Sequence, residues 1–159
     1  GKGTDGVAIF HGRDLFGYCA ARLASGVIDF EGVGPAYPIG EIVRLEILEP
    51  VLSDGKAEGV IEINDPNFGN LWMNIPTKRF FECGFAYGDR VRVTVRHAQE
   101  TVFDREVLFH QSFGFAKQGE PIIYNNELMR VALAVSCGSF ERNYGLSFGA
   151  DWRVAFQKA

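Results

Sequence analysis

The feature that most limits how this chain can fold is the way its apolar runs are cut short. From residue 41 onward nearly every one is brief, alternating or β-branched, and ends at a turn signal. β-type patterning appears in EIVRLEILEPV (41–51), AEGVIEIND (57–65), LWMNI (71–75), RVRVTVRH (90–97), REVLFH (105–110), PIIYNN (121–126), MRVALAV (129–135) and WRVAFQ (152–157). SDG, DPN, YGD and KQGEP separate these runs and supply the bends that strands cannot make. Short strands at this spacing predict a mainly β fold, a compact antiparallel β-barrel or sandwich. Helical periodicity is confined to Leu15, Phe16, Cys19, Ala20 and Leu23. With Asp14 as N-cap and Gly26 as C-cap, these predict one amphipathic helix over about residues 14–25. Residues 76–81 admit a single further helical turn.

Composition narrows the function classes. The 159 residues fit one domain of ordinary globular make-up, 47% apolar and 23% charged. A net charge of −4 with singly scattered lysines and arginines leaves no basic face for phosphates, which disfavours a nucleic-acid partner. The apolar stretches are too short for a membrane span, and the first residues lack the basic-then-apolar pattern of a signal peptide. Cys19, Cys83 and Cys137 are odd in number and far apart, with no CxxC; that suits a reducing cytoplasm and predicts neither a disulfide nor a metal site. Fourteen phenylalanines and nineteen glycines mean either a thick core over tight turns or flat surfaces for a flat ligand.

Two local patterns carry chemistry. Asn64-Asp65-Pro66-Asn67-Phe68-Gly69-Asn70 runs directly into LWMNI. It reads as an inter-strand turn, since its residues are turn formers. The pattern alone favours that reading, and a ligand platform is the functional alternative: Phe68 offers a stacking face, Gly69 permits close backbone approach, and the Asn70 amide matches an adenine edge. Asp65 is then placed to hold an ammonium group. The second pattern is Phe10-His11-Gly12-Arg13-Asp14 at the mouth of the helix. Arg13 and Asp14 are explained by capping and ion pairing, but His11 is the kind of side chain that accepts a proton from water near neutral pH. His97 and His110 have no cysteine or carboxylate at ligand spacing. Cys137 lacks a nearby base, so inert packing is its simpler reading. No phosphate loop, dinucleotide fingerprint, GxSxG or HExxH occurs.

FHGRDLFGYCAARLASG (10–26), GEIVRL (40–45), DPNFGNLWMNI (65–75) and the QGEPIIYNN…RVALAVSCGSF run (118–140) together resemble, in the right order, the family of S-adenosylmethionine hydroxide adenosyltransferases, fluorinases and chlorinases. The resemblance covers nearly the whole chain but only about half of that family's usual architecture. It implies that residues 1–34 are the end of an N-terminal α/β domain, with the helix and a linker, and that residues 35–159 form the C-terminal β-barrel. By position, Phe68 and Asn70 fall where the family stacks on and hydrogen-bonds adenine, and Asp65 where the substrate's amino group is held. Phe113 resembles the second sandwiching aromatic, with Phe115 the alternative in a shifted alignment. Val135, Ser136 and Cys137 match the stretch whose backbone faces the base. Hydrolytic members carry FHGRD where halogenating ones carry Tyr-Ser-Arg, so His11 implies hydroxide as nucleophile.

There are two departures from the family pattern. Glu127-Leu128 stands where halogenating members present Ser-Arg to the substrate carboxylate; Asn126 is the expected substitute, with Arg142 or Asn143 as further candidates. The partner domain that supplies the rest of the site is missing. The resemblance thus implies S-adenosylmethionine as substrate with no cofactor, an α/β partner domain, a homotrimer, and cytoplasmic hydrolysis to adenosine and methionine. A halogenase, or a non-catalytic barrel that binds a nucleoside or a protein, is the alternative.

Overall fold

The computed structural model describes residues 10–44 and 48–158. The chain divides into two compact units, Gly1–Leu45 and Glu46–Ala159.

The first unit holds the expected helix, displaced toward the N-terminus. A π-helical turn over Gly12–Phe16 continues into α1, Gly17–Ala24. Asp14 is therefore not the N-cap. It lies inside the first turn, where Oδ2 accepts a hydrogen bond from the Phe10 N–H at 3.2 Å and Oδ1 receives Arg13 Nε at 2.5 Å. Reaching back in this way satisfies an amide that the start of a helix leaves orphaned. The other end behaves as expected. Gly26 sits at φ 69°, its N–H reaches Leu23 O, and the Val27 N–H reaches Arg22 O at 3.0 Å. That is the Schellman pattern, which needs a left-handed residue and so favours glycine. No residue of this helix is buried; Phe16 is 69% exposed and Leu15 43%.

Of the strand expected over 41–51, only Val51 lies in a strand among the described residues. Residues 39–41 make a 3-10 turn, 42–44 have no regular structure with Ile42 and Val43 exposed, and 45–47 lie outside the described residues. Alternation supplies a face, but a strand also needs a ladder partner for its N–H and C=O groups, and 41–44 has none among the described residues.

The second unit is a barrel. Its strands are β1 (Val51–Ser53), β2 (Lys56–Asp65), β3 (Asn70–Pro76), β4 (Arg90–His97), β5 (Glu100–Phe109), β6 (Pro121–Asn125), β7 (Arg130–Val135) and β8 (Gly149–Lys158). The short helix α2 (Thr77–Glu82) follows β3, close to the single turn expected at 76–81, and α3 (Phe140–Tyr144) follows β7. Pairing runs β2-β3-β7-β6-β5-β4-β8 and returns from β8 to β2, which closes seven strands into a ring and leaves β1 as a flap on β2. Closure removes the exposed edges that invite aggregation. Every pairing is antiparallel except β5–β6, where Leu108 faces Ile122 in parallel register. The residues between those two strands therefore form a longer crossing connection and not a hairpin turn, and that connection carries Phe113.

β5 starts five residues earlier than the sequence suggests because its polar half is the outer face of a hairpin. Thr94 pairs with Asp104 across it, and Arg92 donates twice to the Asp104 carboxylate at 2.6 Å. That pairing holds the exposed Asp104 below the usual carboxylate range. Inward positions fill the barrel: Val91, Val93 and Val95 alternate on β4, and Phe80 stacks on Phe85 at 4.0 Å with Phe109 and Phe156 edge-on. Much of the phenylalanine content is thus core, although Phe68 and Phe113 are not. Asn74 is structural too. Buried, it accepts from the Val60 N–H and donates to Leu48 O at 2.6 Å, standing in for ladder bonds where the β2–β3 register slips.

Candidate functional site

At one end of the barrel a cavity of about 760 Å³ opens between the β2–β3 turn, the 113–116 crossing, β6, the end of β7 and the start of α3. That size suits a small-molecule ligand. Asp65, Phe68, Asn70, Phe113, Val135, Ser136 and Cys137, all singled out from sequence, line it together. Tyr124, Glu127 and Arg142 join them.

The turn is built for this geometry. Asp65 Oδ1 accepts from the Asn67 N–H at 3.0 Å, and the Gly69 N–H closes onto Asp65 O at 2.7 Å. Gly69 at φ 67° then passes its carbonyl to the Glu141 N–H at the start of α3, whose N-cap Ser139 receives the Arg142 N–H. A Cβ at Gly69 would overlap the Ser139 side chain. Gly69→Ala therefore combines left-handed strain of about 1–3 kcal/mol with a steric clash. The expected outcome is a fall in Tm, at about 2–4 °C per kcal/mol, in a thermal melt. An unchanged melting curve would show that the turn and α3 separate freely.

Phe68, exposed at the rim, and Phe113 line the same cavity. Phe115 does not take part: it stacks on His110 with ring centroids 3.4 Å apart. The 112–120 segment is pinned by Ser136, whose N–H donates to Glu120 O and whose carbonyl accepts from the Gly119 N–H. Both backbone groups of Ser136 are thereby occupied. Cys137, at φ 57°, has neither its N–H nor its carbonyl bonded among the described residues.

Asn70 is buried, and its Nδ2 donates to the Tyr124 hydroxyl at 3.2 Å. Burial pushes the Tyr124 phenol up to about 12; the charges of Glu127 and Asp65 act in the same direction, while Trp72 and Asn70 oppose it. The Trp72 indole N–H thus lies near the hydroxyl but closes no hydrogen bond. Tyr124 therefore keeps its phenolic proton throughout the physiological range, its oxygen accepting from Asn70. No sequence pattern marked it; its role becomes visible only once β3, β7 and β6 lie side by side.

The structure does not bring every candidate together. Asn126 is not among the lining residues. Its Oδ1 accepts from the Leu128 and Arg130 N–H groups, fixing the β6–β7 turn. Glu127 does line the cavity, and so does Arg142, which makes no ion pair or side-chain hydrogen bond among the described residues. The lining therefore carries two carboxylates and one guanidinium. His11 lies in the other unit, exposed, at the N-cap of the helix. Among the described residues no group of three or more His, Cys, Asp and Glu is arranged to hold a metal ion, and no helix is long and apolar enough to cross a membrane.

Fold and cavity define a small closed β-barrel domain with an aromatic and carboxylate-lined cleft at one end. The model for the S-adenosylmethionine hydroxide adenosyltransferase C-terminal domain matches residues 59–153, more than half of the chain, and the chain belongs to that family. It is 31% identical to an (R)-S-adenosyl-L-methionine hydrolase of Thermus thermophilus, over 94% of this chain and 50% of the relative. It is 29% identical to a fluorinase of Actinopolyspora mzabensis, over 91% of this chain and 48% of the relative. Among solved structures, an uncharacterized conserved protein of Thermotoga maritima superposes with a TM-score of 0.67 at 27% identity, covering 94% of this chain and 52% of that one. The chain spans about half the length of the curated relatives it matches.

Proposed function

We propose that this chain forms the adenine-binding wall of an enzyme that hydrolyses S-adenosylmethionine to adenosine and methionine. The observation that carries the reading is the convergence of Phe68, Asn70, Phe113 and Asp65 on one cleft. In this reading a purine lies between the two rings, Asn70 addresses its edge, and the carboxylates of Asp65 and Glu127 meet the cationic end of the substrate.

The reaction is displacement at the ribose 5′ carbon. A C–O bond forms, the C–S bond breaks, and its electron pair returns to sulfur as the neutral thioether of methionine. The sulfonium is already a good leaving group, so the protein's task is alignment, which in well-oriented systems is worth roughly 7–11 kcal/mol. His11 receives the proton released by water.

An α/β partner domain completes the site in an assembled trimer. Supporting this, the unit holding His11 buries none of its helix and exposes Phe10, Phe16, Tyr18, Phe30 and Tyr37, an apolar surface of the kind that another domain covers. The 159-residue chain by itself is expected to bind S-adenosylmethionine weakly and turn over nothing; robust turnover without a partner would overturn this part of the reading. Product chromatography of the assembled enzyme tests the rest. Equal adenosine and methionine are expected with or without chloride or fluoride, and a 5′-halo-adenosine would replace hydrolysis with halogenation.

Arg142 takes the place of the missing Ser-Arg pair as partner of the substrate carboxylate. Arg142→Gln should weaken S-adenosylmethionine binding about 10-fold and leave adenosine binding unchanged, as read by calorimetry. Equal loss for both ligands would assign Arg142 to the cleft's structure instead.

A further inference from the structure

Three charged side chains line the cleft, Asp65, Glu127 and Arg142, so two carboxylates stand against one guanidinium. Neither Glu127 nor Arg142 forms an ion pair among the described residues, so neither is neutralised by a direct contact. Glu127 also stands on a rigid support. The Asn126 N–H donates to Arg130 O, the Met129 N–H to Asn126 O, and the Leu128 and Arg130 N–H groups to Asn126 Oδ1. Thr77 of α2 ties this turn to the barrel, its N–H reaching Met129 O at 2.9 Å. These bonds fix the backbone on both sides of Glu127 and leave its side chain exposed at the cleft rim. Burial is the main reason the Tyr124 phenol is raised, and the charges of Glu127 and Asp65 add to it. Both carboxylates are therefore within electrostatic reach of one hydroxyl of the lining.

We propose that Glu127 is a specificity-determining residue that selects ligands by charge, so that the cleft holds an adenosyl sulfonium in preference to the corresponding neutral thioether. The inference rests on the proposed reading of this cleft and goes beyond it in assigning the choice of tail to one residue. S-adenosylmethionine carries a sulfonium, an ammonium and a carboxylate, a net single positive charge that complements the net single negative charge of the lining. The demethylated thioether, S-adenosylhomocysteine, carries only the ammonium and the carboxylate and is neutral overall. It keeps the groups that Asp65 and Arg142 address and loses the charge that a second carboxylate attracts. The selection also acts on the product. Breaking the C–S bond returns the electron pair to sulfur, so the methionine formed is itself a neutral thioether. Attraction to Glu127 ends at the step that makes the product.

Glu127→Gln removes the charge and keeps the side-chain length. The test titrates the 159-residue chain and this variant with S-adenosylmethionine, S-adenosylhomocysteine and adenosine, following amide chemical shifts by NMR at low and at high salt. The wild-type chain is expected to prefer the sulfonium to the thioether by about 10-fold at low salt, and by less at high salt, because mobile ions screen an exposed carboxylate. Glu127→Gln should bring the two to within about threefold, and Glu127→Lys should reverse their order, with adenosine affinity kept within about twofold in both variants. A sulfonium preference that survives undiminished in Glu127→Gln, or a loss that falls equally on all three ligands, would leave Glu127 no part in selection and overturn the proposal. A wild-type chain that takes adenosine but does not distinguish sulfonium from thioether would overturn selection by charge and leave the purine cleft standing. Failure of the wild-type chain to bind any of the three would remove the reading of the cleft, and this inference with it.

Discussion

Replacing His11 by alanine in the assembled enzyme is expected to slow adenosine release by roughly 10²–10⁴-fold, the usual contribution of a positioned general base. Affinity for S-adenosylmethionine should stay within about twofold, because the cavity proposed to take the base draws none of its lining residues from the helix. The substitution is also structurally clean. His11 occupies the N-cap position, yet its side chain makes no capping hydrogen bond, and it is exposed. Helix start-up depends instead on Asp14 reaching back to the Phe10 amide. Single-turnover measurement of adenosine formation, with binding measured separately, distinguishes a chemical defect from a binding defect. An unchanged rate would take His11 out of the mechanism.

Phe68→Ala is expected to cost binding and spare the fold. The ring is 66% exposed, so its removal opens no core cavity and should leave Tm within about 1–2 °C. Stacking of a base on an aromatic ring contributes roughly 1–3 kcal/mol, so adenosine affinity should fall about 5- to 150-fold. The neighbouring Gly69→Ala has the opposite signature, with stability lost through Ser139 and the left-handed turn. Measuring melting and affinity on both variants separates two functions that adjoining residues of one turn perform. A Phe68→Ala protein that binds adenosine like the wild-type chain would mean the ligand stacks elsewhere, and the purine cleft would have to be abandoned.

Local chemistry could be read directly from the chain. The helix stop at Gly26 was legible because a glycine that closes a periodic run readily takes the left-handed conformation with which helices end. Most strands were legible from their alternation. The Asp65–Asn70 turn was legible both as a turn and as a platform, and the structure shows it is built as a turn whose rim faces a cavity. Asn126 illustrates the limit. Its amide suits a ligand and suits a turn equally well; here its Oδ1 takes the Leu128 and Arg130 amides, while its buried Nδ2 has no hydrogen-bond partner among the described residues. The run at 41–44 shows the same limit for strands. Alternation expresses a preference for a pleated face, but a ladder is a property of two segments, and no partner lies beside this one among the described residues.

By itself, then, the sequence determined where backbone must bend, which residues turn inward and which residue types are fit to meet a purine, since each of these depends on a few neighbouring side chains. Tertiary structure alone decided that β5 and β6 run parallel, that Phe113 and not Phe115 lines the cavity, and that Tyr124 holds Asn70 from 54 residues away. Those outcomes depend on ring closure, which places residues distant along the chain at hydrogen-bond distance. No local pattern encodes that proximity.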